Sequence, residues 1–264
     1  MKIVVITGST RGIGRGLAEA FLRAGCGVVI NGRSVDPVRS TVDSFAKIYG
    51  ADHVFGQVCD VTDESQVEKL WQGATSKFGR VDIWINNAGI THDTNPFWLV
   101  ESNRIRQVIE INVLGLIYGM RVAFRGMEAQ GGGFIYNLEG MGSGKRTVKG
   151  LAFYGGSKSA VTKITQTAIL DAEGSAVKIG YLSPGMVVTD LLVKKGEDAG
   201  PDWEQKKRIY NILADHVETV APFLAEGVLK NDRPGARIEW LTTGKSFVRF
   251  LKAPFVKRDL FADI

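Results

Sequence analysis

"KIVVITGSTRGIGRG", residues 2–16, joins a β-branched apolar run to a glycine-spaced turn that leads into an amphipathic segment. An apolar run without alternation suits a strand buried on both faces, the pattern of a parallel sheet. Thr7, Gly8, Gly12 and Gly14 then form a T-G-x-x-x-G-x-G spacing. In that place Gly8 serves the tight turn, Gly12 lets the backbone approach a pyrophosphate, and Gly14 allows close helix–strand packing. The helix that follows offers free N–H groups and the positive end of its dipole to phosphates. With Ser9, Arg11 and Ile13 between the glycines, residues 8–14 are the expected dinucleotide cradle. Glycine triplets mark many tight turns; the position between a first strand and a first helix gives this one its weight.

The same alternation runs downstream. Apolar runs "GVVING" (27–32), "HVFGQV" (53–58), "VDIWIN" (81–86), "GFIYNL" (133–138) and "VKIGYL" (177–182) alternate with helix-like segments near 13–24, 35–48, 64–78, 101–128 and 152–172. "TDES" before "QVEKLWQGATSKF" carries capping chemistry, with Glu64 and Glu68 near the first turn and Lys77 near the last. Helical segments at 202–213 and 216–229 precede a last strand, "ARIEWLTT". Such alternation implies right-handed crossovers and helices on both faces. The expected fold is α/β, a single-domain Rossmann-type, doubly wound parallel sheet of about seven strands spanning 1–264.

Composition narrows the function classes. At 264 residues, 44% hydrophobic and 23% charged, the chain has the make-up of a globular protein with a substantial core. A net charge of +5 and a pI near 9.1 are mildly basic, and no nucleic-acid motif accompanies them. Cys26 and Cys59 have neither disulfide-scaffold nor metal-site spacing, so no metal is expected. "KIVVIT" is too short for a signal peptide, and no stretch reaches the roughly 18 apolar residues of a membrane span. These features lead to a cytoplasmic expectation. The tail "KSFVRFLKAPFVKRDLF" (245–261), in the basic–aromatic segment 245–264, mixes cations with Phe247, Phe250, Leu251, Phe255 and Phe261. It suits either peripheral contact with a membrane or packing against the domain or a sister subunit.

The second strand ends "VVINGRS", where an NAD site carries a carboxylate for the ribose 2′-hydroxyl; here Gly32 stands, followed by Arg33. An arginine can grip a 2′-phosphate that a carboxylate would repel, and Arg11 points to the same pocket. NADP(H) is therefore favoured over NAD(H). "CDVT" (59–62) places Asp60 and Val61 where an adenine amino group could be met, and Asn87, Ala88 and Gly89 of "NNAG" let the chain pass close to the cofactor.

"YGGSK" sets Tyr154 and Lys158 four apart on one helix face. A free tyrosine, with a pKa of about 10, is a poor neutral acid. A lysine ammonium and a nicotinamide cation nearby would favour its phenolate and bring that value down. Tyr154 could then give a proton to a carbonyl oxygen as hydride reaches the carbon, or the reverse.

Taken together, TGSTRGIG, CDV, NNAG, the Asn112 of "INVLG", YGGSK and "SPGMVVTD" (183–190) resemble the short-chain dehydrogenase/reductase family over about the first 190 residues. The resemblance implies that Asn112 anchors a water relay to Lys158, and that Lys158 also holds the nicotinamide ribose. It implies that Pro184, Gly185, Val187 and Thr189 line the nicotinamide carboxamide, that 190–230 is a substrate-binding helical region, and that the protein is a homo-oligomer, dimer or tetramer.

One departure from the family stands out. Where most relatives end the fifth strand in a form like "NISS", this chain has "NLEG", so Glu139 and Gly140 replace the serine pair. Losing one donor to a developing oxyanion costs roughly 2.7–4 kcal/mol. Either Ser143 reaches in from "GMGSG", or a backbone N–H of residues 140–142 replaces the hydroxyl, or the site is inactive; Ser143 is the first candidate. The acid–glycine pair, the "GMGSG" loop and the absence of a C-terminal "TG..I.VDGG" resemble the chlorophyll b reductase-like branch. That resemblance extends through "ETVA" and "ARIEWLTT".

The expected activity is therefore NADPH-dependent hydride transfer to a formyl or keto group of a large apolar substrate, such as chlorophyll b or a related tetrapyrrole. A general carbonyl or alcohol dehydrogenase for steroids, quinones or fatty intermediates is the alternative. A non-catalytic NADP-binding protein is the third reading.

Overall fold

The computed structural model describes residues 1–144, 147–191 and 203–262. Seven strands form one parallel sheet in the order β3–β2–β1–β4–β5–β6–β9. They are β1 (Ile3–Ile6), β2 (Gly27–Gly32), β3 (Val54–Val58), β4 (Ile83–Asn86), β5 (Gly133–Leu138), β6 (Val177–Ser183) and β9 (Arg237–Glu239). The first and fourth strands are buried at every position, which is why their sequences show no alternation.

On one face, Leu17 and Phe21 of α1 (Gly12–Arg23), Phe45 of α2 (Val35–Tyr49) and Val220 and Leu224 of α8 (Val217–Lys230) pack on Val4, Ile6, Val28 and Ile30. On the other, Leu70 of α3 (Glu64–Phe78), Met120 and Ala123 of α5 (Gly115–Ala129) and Val161 of α6 (Ala152–Asp171) pack on Val5, Val29, Trp84 and Ile135. At about 25 cal/mol per Å², each large side chain so covered contributes roughly 1.5–3 kcal/mol before conformational entropy is subtracted. Asp63 caps α3, accepting from Ser65 N at 2.9 Å and Gln66 N at 3.4 Å, as the "TDES" reading expects.

Strand order reverses between β1 and β4, opening a crevice beyond the carboxyl ends of the sheet. Four features of this end are not written in local periodicity. Helix α4 (Ser102–Ile109) passes into α5 through a π-turn at Glu110–Leu114, where a straight helix was expected. A small parallel pair, β7 (Val187–Val188) with β8 (Asp215–His216), stands beside the main sheet. Helix α7 (Trp203–Leu213) leads directly into β8. The last strand is three residues long, because Thr242 caps a further helix, α9 (Thr243–Lys252), by accepting from Lys245 N at 3.1 Å. The expected 190–230 region is thus described at 190–191 and 203–230. Residues 192–202, and 263–264 of the tail, lie outside the described residues.

Ser102–Ala129 is one helical run of 28 residues, long and apolar enough to cross a membrane by length and composition, though charged residues interrupt its apolar stretches. Its apolar face, with Leu116, Met120 and Ala123, covers the sheet, and half of its most apolar window is buried there.

Candidate active site

The glycine turn is held open by its neighbours. Gly8 has φ +65°, and its N–H donates to Asn31 Oδ1 at 3.1 Å. Asn31 is buried in β2; its own N–H donates to Ser9 Oγ at 2.9 Å, and its amide donates to Gln57 O and Cys59 O. Asn87 Nδ2 donates to Thr7 O and Gly8 O, while Thr7 Oγ1 accepts from Asn87 N and Ala88 N. A Cβ placed on Gly14 would stand 2.5 Å from Asn87 Nδ2, so only glycine fits there. The first turn of α1 receives no side-chain cap, leaving its N–H groups for an anion. Thr189 approaches from the far side: its Cγ2 would lie 3.6 Å from a Cβ at Gly12. This cradle fits a dinucleotide pyrophosphate.

Arg11 and Arg33 are both exposed at the carboxyl edge of β1 and β2, and neither side chain has a hydrogen-bond or ion-pair partner among the described residues. The first acid after Arg33, Asp36, is paired with Arg39 at 2.6 Å. Asp60 uses Oδ1 to close a turn onto Thr62 N and Thr62 Oγ1, leaving Oδ2 for an external donor. Val61 is buried against Gly115, where a Cβ would meet its Cγ2 at 2.7 Å.

At the other end of the crevice, Tyr154 and Lys158 lie buried on one face of α6. Lys158 Nζ donates to Leu138 O at 3.0 Å. Tyr154 Oη has no hydrogen-bond partner among the described residues. The two groups meet over Gly140: a Cβ placed there would stand 2.6 Å from Tyr154 Oη and 3.1 Å from Lys158 Cε. Asn112, turned inward by the π-turn, accepts from Ile90 N at 2.8 Å and donates to Ile90 O and Ser157 Oγ, both at 2.9 Å. Its Oδ1 and Lys158 Nζ converge on Gly89, at 3.4 and 3.7 Å from a Cβ placed there. A π-turn at such a point is a recurrent way to aim one side chain into a site.

Burial pushes the Tyr154 phenol up to about 12 and the Lys158 ammonium down to about 8, the latter opposed by the Glu139 carboxylate. The sequence led us to expect the lysine to bring the tyrosine down. In the protein alone, desolvation dominates.

The loop after β5 has a different internal wiring from the expected one. Ser143 Oγ accepts from Gly140 N at 3.1 Å and donates to Lys158 O at 3.3 Å. Ser159 Oγ donates to Gly142 O at 2.6 Å. The loop is therefore tied down onto α6, with the Ser143 hydroxyl engaged by backbone. Glu139 is buried on the other side, where Arg237 donates to it at 3.0 Å and Thr162 at 3.1 Å. Burial raises its carboxyl, with Arg237 and Thr162 pulling the other way, and Arg237 also stacks 4.8 Å over Tyr181.

Several site-building residues escape sequence reasoning: Asn31, Ser157 and a buried polar chain across the core. In that chain Trp84 Nε1 donates to Asn86 Oδ1, Asn86 Nδ2 to Asn137 Oδ1, and Asn137 Nδ2 to Thr165 Oγ1, each at 2.8 Å. Fully satisfied, it fixes α6 against the sheet. The local signal was an asparagine inside three of the apolar runs, at 31, 86 and 137.

A family model described as short chain dehydrogenase matches residues 2–200. The chain is 40% identical over 230 residues to a chloroplastic chlorophyll(ide) b reductase, NOL, of Oryza sativa subsp. japonica, covering 85% of this chain and 66% of that protein. The corresponding Arabidopsis thaliana protein is 36% identical over 255 residues, covering 93% and 72%. A 7alpha-hydroxysteroid dehydrogenase of Escherichia coli is 30% identical over 191 residues, covering 72% and 73%. The fold matches that of a short chain dehydrogenase/reductase from Burkholderia phymatum in complex with NAD, with a TM-score of 0.79 at 24% identity over 96% of this chain and 94% of that one.

Proposed function

Because the chain belongs to the short-chain dehydrogenase/reductase family, we propose that it is an NADPH-dependent reductase of a formyl or keto group on a large, flat, apolar molecule of the chlorophyll b type. The observation that carries the reductase reading is the unpartnered Tyr154 hydroxyl facing side-chain-free Gly140 beside Lys158. The substrate class is supported by the 40% identity to a chlorophyll(ide) b reductase. Bound NADPH supplies the hydride. Tyr154 Oη gives its proton to the carbonyl oxygen, completing a hydroxymethyl or secondary alcohol. The Lys158 ammonium holds the phenolate left behind, and Asn112 keeps Ile90 and Ser157 in register beside it. Gly8, Ser9, Gly12, Ile13 and Gly14 hold the pyrophosphate, Asp60 and Val61 the adenine, and Asn87, Ala88 and Gly89 the underside of the cofactor. Pro184, Gly185, Val187 and Thr189 form the carboxamide wall.

Oxidation of NADPH in the presence of chlorophyll b tests the proposal. Turnover of small ketones with none of chlorophyll b would reject the substrate and leave the reaction. The likeness to a 7alpha-hydroxysteroid dehydrogenase favours steroids as the second substrate class to assay.

Arg11 and Arg33 would take the 2′-phosphate. A charge-assisted bond of this kind is worth about 1.5–3 kcal/mol, so Arg33→Ala should weaken NADPH binding roughly 10- to 100-fold and NADH binding under about threefold. Equal losses for the two cofactors in a fluorescence titration would reject the preference.

Gly140→Ser would restore the residue seen in most relatives, yet it should lower kcat by about tenfold or more, because the new Cβ displaces the Tyr154 hydroxyl. Ser143, wired to Gly140 N and Lys158 O, serves this site by shaping the loop, so Ser143→Ala should cost less than Gly140→Ser. A larger fall in the single-turnover rate for Ser143→Ala would return that hydroxyl to the role of carbonyl donor.

We take the chain as one domain that assembles as a homo-oligomer through its long helices, where Ile109, Leu114 and Leu170 are exposed. Free, buried Cys26 and Cys59 suit a reducing compartment such as a cytoplasm. Exposed Phe247, Leu251 and Phe255 are the part of the tail suited to peripheral contact with a membrane.

A further inference from the structure

We infer that the C-terminal segment is a working part of this site: Asp215, Arg249 and Arg258 are positioning residues that seat α7 and β7 against the cofactor cleft. The kinetic arm of this inference rests on the reductase reading above.

A helix leaves its last carbonyls without intrahelical donors, and cations are favoured at that end. The end of α7 is served by two arginines from far along the chain. Arg249 Nη1 donates to Leu213 O at 3.0 Å, while Arg258 donates to Ile212 O at 3.2 Å and to Ala214 O at 2.9 Å. Both guanidinium groups also reach the buried carboxylate of Asp215, each at 2.7 Å, and Trp240 Nε1 donates to it at 2.6 Å. One acid thus gathers β8, α9, the strand-to-helix turn and the tail. The planar, multi-donor fork of arginine suits this task, since Arg258 serves three acceptors at once.

The seat leads to the cofactor cleft by short links. Asp215 N donates to Met186 O at 3.1 Å, and β8 pairs with β7 in the register Val187↔Asp215. Two residues on, Thr189 closes over Gly12. The outer side of α7 is held by the same segment: Phe261 packs edge-on to Trp203 at 5.4 Å, and Leu260 N donates to Asn211 Oδ1 at 2.9 Å. In the basic–aromatic tail, therefore, Arg249 and Arg258 point inward, and their task is to place the Val187–Thr189 wall of the cofactor cleft.

The test uses the full-length protein with Arg258→Ala and the double variant Arg249→Ala/Arg258→Ala. A small displacement of a cleft wall costs up to about 10²-fold, so NADPH binding should weaken and KM for the carbonyl substrate should rise, each about tenfold or more. Tryptic cleavage at Lys206, Lys207 and Arg208 of α7 should accelerate about tenfold while the sheet stays protected. Arg258→Lys, which keeps the charge and not the fork, guards against a variant that fails to fold and should lie between the two. Unchanged NADPH binding with unchanged cleavage would overturn the inference, as would full activity in Arg258→Lys. Should the wild-type protein turn over no carbonyl at all, the reductase reading fails by itself and the cleavage rates decide the seat.

Discussion

Tyr154→Phe should reduce kcat by a factor of about 10²–10⁴, the usual yield of one positioned acid, while leaving the fold no less stable. The phenol makes no hydrogen bond among the described residues, so its removal breaks none. Burial holds it up at about 12, neutral and ready to donate. The oxygen is open to the cleft rather than sealed from solvent, so the phenylalanine variant should melt at about the same temperature. Steady-state rates and a melting curve on the same preparation check both halves. A variant that keeps its rate would remove the tyrosine from the reaction; one that unfolds would show that the hydroxyl has a structural bond.

Lys158→Met should lower kcat about 10²- to 10³-fold through loss of the ammonium that holds the phenolate. Its stability has a distinct pH signature. The folded value, about 8, lies below the 10.5 of a free lysine. The buried ammonium therefore penalises the fold in full below about pH 8, and the penalty fades as pH rises toward 10.5. Replacing it with an apolar chain of similar length should stabilise the protein at pH 7 by on the order of 2 kcal/mol, after the bond to Leu138 O is lost. The gap should close between pH 8 and 10.5. Denaturant titrations at several pH values would show it, and a constant gap would mean that the lysine is not desolvated. In the free enzyme, kcat/KM should fall above about pH 8 as the same ammonium deprotonates.

Much of this molecule was readable before its tertiary structure. Residues 27–32 and 133–138 are strands at the limits read from their apolar runs, and α3 covers the 64–78 read from its capping chemistry. The Tyr154–Lys158 face needed only helical spacing. The π-turn at 110–114 was not readable, because "INVLG" is acceptable helix sequence and the irregularity serves a bond from Asn112 to Ile90. Nor was α9, whose residues read as a basic, greasy tail until Arg249 had a partner 34 positions earlier in Asp215.

The chain by itself determined the order of strands and helices, the phosphate turn and the pairing of a tyrosine with a lysine, since these arise from neighbours within a few residues. Tertiary structure alone decided three things: that Gly140 is bare because a phenol fills its space, that Ser143 is turned to the backbone, and that the tail's arginines close α7. Each depends on groups brought together from distant parts of the chain and stripped of water, and both distance and desolvation exist only once the sheet has formed.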